Sequence, residues 1–147
     1  MKKIILFTIL LYSCILTHGQ IAPSPTGKFF DYNGIKIYYE DMGTGEPLLL
    51  LHTFNGTANQ WKSYFADYSK NFRIIAVDMI GHGRSDIFYK KDDIEFKHAD
   101  YAKIILALLD HLKIKQTNAI GASSGGITLF YTNFFQPERF KIGRAHV

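Results

Sequence analysis

The sequence predicts an α/β fold, a mostly parallel sheet with helices on both faces. Three observations carry that prediction. The runs "PLLLLH" and "FRIIAVD" are apolar without alternation, as strands covered on both faces are. From Tyr101 to Leu112 the apolar residues recur at helical spacing. Strand-like and helix-like segments then alternate along the chain, the order that sets helices between parallel strands.

Each element follows from local chemistry. In "KFFDYNGIKIYYED" two runs rich in Tyr, Phe and Ile flank Asn33-Gly34, a pair that accepts positive φ at both turn positions, so a hairpin is predicted. "MGTGE" breaks the pattern, and Leu48 to Leu51 form the first buried strand. "ANQWKSYFADYS" spaces Trp61, Tyr64, Phe65 and Tyr68 along one helical face. Phe72 to Val77 form a second buried strand ending in Asp78, and a polar loop runs on to about Lys97. Tyr101, Ile104, Ile105, Leu108, Leu109 and Leu112 mark the clearest helix. "KQTNAIG" is a short third strand, and Gly125 to Gln136 form a helix stopped by Pro137.

The length allows one small domain at most. With 47% hydrophobic and 20% charged residues the chain has the composition of a folded protein. The formal charge of +4 carries no partner: setting aside Lys2, Lys3 and Arg144 leaves 14 basic against 13 acidic residues. Charge therefore points to neither nucleic acid nor a membrane surface.

"MKKIILFTILLYSCILTHGQ" has a basic start, an apolar run from Ile4 to Leu16, and small or polar residues to Gly19. That is the layout of a signal peptide over residues 1–19, cleaved after Gly19, which leaves no integral membrane segment and implies export. Two rivals stay open, lipidation at Cys14 and an uncleaved anchor. Cys14 is the one cysteine, so the mature chain has no disulfide, thiolate metal site or cysteine nucleophile. Residues 20–27, "QIAPSPTG", read as a flexible leader.

Gly121-Ala122-Ser123-Ser124-Gly125 fits G-x-S-x-G, and it lies between a predicted strand and a predicted helix, the setting of a nucleophile elbow. A tight turn strains the Ser123 backbone, and a Cβ at Gly121 or Gly125 would crowd the neighbouring strand and helix. The alternative is an ordinary Gly/Ser-rich turn capping a helix. "LLLLHTFNGTANQW" puts His52 at the end of the first buried strand, and "AVDMIGHGRSD" puts Asp78 at the end of the second.

Together these three stretches resemble the α/β-hydrolase family in order and spacing, over about Lys28 to Phe140. The resemblance implies the N-terminal part of one α/β-hydrolase domain at residues 28–141, truncated after the elbow helix. It implies Ser123 as catalytic nucleophile and an oxyanion hole from the N–H groups of Phe54 and Ser124. Gly121, Gly125, Gly126, His52 and Asp78 would support the elbow and the loops, with Arg84, Ser85 and Asp86 tying down a loop near the site. The substrate would be a small-molecule ester or amide, with no cofactor. One position departs from the family: Thr53 stands where glycine is usual, so positive φ or close chain approach there would be strained.

His82 and His98 read as surface or loop histidines, and His111 lies just off the helix stripe. No pair has metal-ligand spacing, so no metal is expected. Trp61 and the aromatics from Tyr64 to Tyr68 read as core or pocket wall. The family places an acid and then a histidine after the serine. Here Glu138 comes too early for the acid, and His146 has no strand before it, so the fragment is expected to be inactive. "IGRAHV", Ile142 to Val147, is what ATCGGAAGAGCACACGTC encodes, the reading of a common sequencing-library adapter, so residues 142–147 are expected to be an artefact. A non-catalytic relative acting as a binding protein is the alternative function. A cofactor-binding α/β domain lacks its G-x-G-x-x-G after the first strand.

Overall fold

The computed structural model describes residues 26–87 and 97–141. The signal segment with Cys14, nearly all of the leader and the tail 142–147 lie outside the described residues.

The described residues open with the hairpin. Strands β1 (Gly27–Tyr32) and β2 (Ile35–Met42) pair antiparallel from Gly27–Glu40 to Tyr32–Ile35. Asn33 at φ 54° and Gly34 at φ 86° make the two-residue turn, both left-handed as a twist-matched hairpin needs. Strand β3 (Glu46–Leu51) leads through a 3₁₀ turn (Ala58–Trp61) into α1 (Lys62–Tyr68), and β4 (Phe72–Val77) follows. After the undescribed stretch come α2 (His98–His111), β5 (Asn118–Gly121) and α3 (Ser124–Phe135).

The five strands form one sheet in the order β1-β2-β4-β3-β5. Its interior is parallel, with β3 between β4 and β5, whereas β2 meets β4 antiparallel. The sheet is therefore mixed: the hairpin extends one side of a parallel centre. The chain meets β5 again at Phe140, which bridges Thr117 in parallel fashion. Buried Arg139 ties that return to the α2–β5 loop through the carbonyls of Ile114 (2.8 Å) and Lys115 (3.0 Å).

Period-two alternation divides the core. Leu48 and Leu50 of β3, with Ile74 and Ala76 of β4, face Trp61 and Phe65. Leu49, Leu51, Ile75 and Val77 face the other way, onto Ile104, Ile105, Leu108 and Leu109 of α2. Both faces of β3 and β4 are thus filled, which is why neither strand alternates polar with apolar. Of the expected face of α1, Trp61, Phe65 and Tyr68 pack on the core and Tyr64 does not. The first turn is 3₁₀, capped by Thr57 Oγ1 accepting from the Asn59 N–H, and Trp61 and Phe65 turn inward. Tyr64 stays outside, 49% exposed and stacked on Tyr68 with ring centroids 5.7 Å apart.

Candidate active site

Parallel strands deliver their C-terminal ends to one edge of a sheet, where ligands bind in open α/β folds. Here β3, β4 and β5 end in His52, Asp78 and the turn at Ser123, so register alone gathers the three predicted stretches.

His52 is fully buried. Its Nδ1 lies 2.6 Å from the Thr53 carbonyl, and its Nε2 accepts from the Met79 N–H at 3.0 Å. A ring that donates from Nδ1 and accepts at Nε2 is a neutral imidazole in one tautomer. Burial holds its pKa below the ordinary value, against the pull of the Thr53 hydrogen bond, and nearby His82 lowers it further. With both nitrogens engaged by backbone, His52 fastens the end of β4 to the loop after β3.

Asp78 joins the same two loops. Its Oδ1 accepts from the Ala58 N–H at 2.6 Å and its Oδ2 from the Arg84 N–H at 2.8 Å. Gly83, at φ 56°, lies so close to this carboxylate that any Cβ would overlap it. The rest of the loop docks on β2: the Tyr38 N–H donates to Ser85 Oγ (2.8 Å), Ser85 Oγ donates to the Asp78 carbonyl (2.5 Å), and Asp86 Oδ2 accepts from the Lys36 N–H (2.8 Å). Arg84 lies over the Tyr38 ring at 4.6 Å and 3.6 Å from buried Glu40.

Thr53 fits without strain. It is absent from the left-handed region, and its N–H and hydroxyl both reach Gln60 Oε1, at 3.0 and 3.1 Å. The close approach falls instead at Gly56, where a Cβ would come within 2.6 Å of Gln60 Oε1.

The turn after β5 is built differently. Ser123 has φ 49° and ψ −115°, off the left-handed helical well, a conformation that costs about 1–3 kcal/mol and persists only where its surroundings impose it. They do. A Cβ on Gly121 would stand 2.6 Å from the Gly125 carbonyl, and one on Gly125 would overlap the Leu51 carbonyl oxygen and stand 2.7 Å from that of His52. Gly126 is looser, its nearest contact 3.4 Å away. Ser123 is exposed, while Ser124, the first residue of α3, is buried. No acceptor among the described residues takes the N–H of Phe54 or Ser124.

A cavity of about 430 Å³ opens here, lined by Phe54, His82, Lys97, His98, Ser124 and Thr128, with Met79, Tyr101 and Tyr131 completing the wall. His82 sits in the loop after β4, as expected, whereas His98 opens α2; both line this cavity, and His98 Nδ1 lies 3.2 Å from Thr128 Oγ1. Of the aromatics read as core or pocket wall, Trp61, Phe65 and Tyr68 belong to the core, and Tyr64 to neither. The missed wall residues shared one signal: each lies just past the C-terminal end of β4, at the start of α2, or one or two turns beyond Ser124. Burial raises the Tyr101 pKa, so it presents a neutral phenol. Among the described residues no His, Cys, Asp and Glu side chains cluster as metal ligands would, and no helix is long and apolar enough to cross a membrane.

Comparison with known proteins agrees with this geometry. The family model described as "alpha/beta hydrolase fold" matches residues 46–141. A Pseudomonas putida dihydrolipoyllysine-residue acetyltransferase component of an acetoin cleaving system is 34% identical over 120 residues, covering 80% of this chain and 31% of that protein. An uncharacterized Bacillus subtilis carboxylesterase is 34% identical over 95 residues, covering 65% of this chain and 31% of that protein. Among solved structures, an N-acyl homoserine lactone degrading enzyme superposes with a TM-score of 0.73 at 29% identity, covering 80% of this chain and 44% of that one. The chain spans about 30% of the length of the curated relatives it matches.

Proposed function

The chain belongs to the α/β-hydrolase fold family, and from that premise we propose that the whole protein is an exported serine hydrolase cleaving an ester or amide bond of a small molecule. The observation that carries this reading is the turn at Ser123. A serine is held at strained positive φ between two glycines that close backbone contact makes obligatory, and its side chain stands exposed at the head of a helix.

In this reading Ser123 Oγ attacks the substrate carbonyl carbon and its proton passes to a histidine base. The resulting oxyanion accepts from the Phe54 and Ser124 N–H groups, each contributing about 3–4 kcal/mol to the transition state. Collapse expels the alcohol or amine, which takes the proton, and water then releases the acid from the acyl-serine by the same steps. His52 is not that base, because both its nitrogens are engaged by backbone. The base and its orienting acid are assigned to the part of the family fold that this chain does not span. Export rests on the basic and apolar N-terminal segment.

The test is hydrolysis of short esters by the whole protein and its Ser123→Ala variant. Activity that disappears with Ser123 supports the reading. A whole protein that binds small esters without cleaving them would instead be a non-catalytic member of the family.

A further inference from the structure

The cavity beside the elbow has a fixed cation in its described wall, and none of its described wall residues is acidic. Lys97 is that cation, and His82 and His98 are imidazoles. Two helices begin on the same wall, the 14-residue α2 at His98 and the 12-residue α3 at Ser124, each presenting its positive end. The nearest acid on α2, Asp100, is shared: it pairs with Lys103 at 3.1 Å, accepts the Lys97 N–H at 3.3 Å and feels the Lys97 charge more weakly than that of Lys103.

A second observation points to a ligand. Ser124 is only 7% exposed, and its Oγ is buried with no hydrogen-bond partner among the described residues. A buried hydroxyl lacking a partner is a cost that a ligand oxygen would remove. Thr128, one turn along, has its hydroxyl within reach of His98 Nδ1, which leaves the Nε2 edge of that ring as its second polar atom. At about 430 Å³ the space is large enough for a compact ligand.

We propose that the substrate carries a carboxylate besides the bond that is cleaved, and that this cavity seats it, with Ser124 Oγ as hydrogen-bond donor and Lys97 as counter-charge. This rests on the serine-hydrolase reading and sharpens it to anionic small esters. The carboxylate belongs to either the acyl or the alcohol portion, and substrate pairs separate the two.

The experiment measures kcat/KM of the whole protein for monoethyl glutarate against ethyl pentanoate, and for the butyryl ester of glycolate against ethyl butyrate. The charged member of one pair is expected to be at least about tenfold better, a difference of about 1.4 kcal/mol. That ratio falls towards one in Lys97→Met, in Ser124→Ala, which keeps the backbone N–H, and at high salt. A ratio untouched by both substitutions would remove the carboxylate from this cavity. Neutral esters cleaved as fast as charged ones, by protein that a fluorophosphonate labels at Ser123, would overturn the anionic substrate and leave the hydrolase standing. No cleavage and no labelling would sink the hydrolase reading and this inference with it.

Discussion

The three turns at the C-terminal edge of the sheet are held in two ways. After β3 and β4, buried polar side chains do the holding: His52 and Asp78 satisfy the backbone N–H groups of Met79, Ala58 and Arg84. After β5 no side chain among the described residues takes part. The elbow is held by backbone packed against backbone, with Gly121 against Gly125 and Gly125 against the end of β3. The difference has a chemical meaning. A side-chain lock spends its polar atoms on the fold, and His52 and Asp78 are buried away from a substrate. A backbone lock leaves the Ser123 hydroxyl unengaged by any hydrogen bond to the described residues.

Breaking the backbone lock should cost most. Gly125→Ala forces a Cβ into the carbonyls of Leu51 and His52, and we expect it to destabilise by about 3 kcal/mol or more. Gly121→Ala should follow closely, both read as shifts in denaturant midpoint.

Asp78→Ala comes next. It strands the buried Ala58 N–H and the Arg84 N–H, for an expected loss of about 2–3 kcal/mol by the same unfolding measurement.

His52 sharpens the comparison through pH, because only a side-chain lock can titrate. Its folded pKa lies below its unfolded value, so the unfolded state binds the proton more readily. Its contribution is complete above about pH 6.5 and is lost as pH falls through the depressed folded value. His52→Gln should lower stability at neutral pH by about 1–2 kcal/mol and flatten this acid-side loss. A slope that is unchanged in the variant would assign the titration to another group.

Gly126→Ala is the control within the elbow. With its added Cβ in ordinary contact, 3.4 Å from the Gly121 carbonyl oxygen, and a helical position, it should be neutral or stabilising by up to about 1 kcal/mol.

Much of this was legible in the sequence because it rests on local rules. Asn33-Gly34 specifies its turn, the apolar runs of β3 and β4 specify coverage on two faces, and the glycines around Ser123 specify close approach. Thr53 and the cavity wall were not legible. Whether a residue in a family's glycine position is strained depends on its φ, and at Thr53 the neighbouring Gln60 decides how the side chain is received. His98 looked like a loop residue because its partner Thr128 lies 30 positions away, on a helix that α2 meets only after folding. Arg84, Ser85 and Asp86 were expected to tie down a loop, but their anchor on β2 follows only from the sheet order.

The most direct test of the account is fluorophosphonate labelling of the whole protein followed by peptide mass spectrometry. A hydroxyl held at a strained elbow for nucleophilic attack predicts one covalent adduct on the peptide containing Ser123, absent in Ser123→Ala and reduced in Gly125→Ala. Folded protein that takes no adduct at Ser123, under conditions that label a known serine hydrolase to completion, would contradict it.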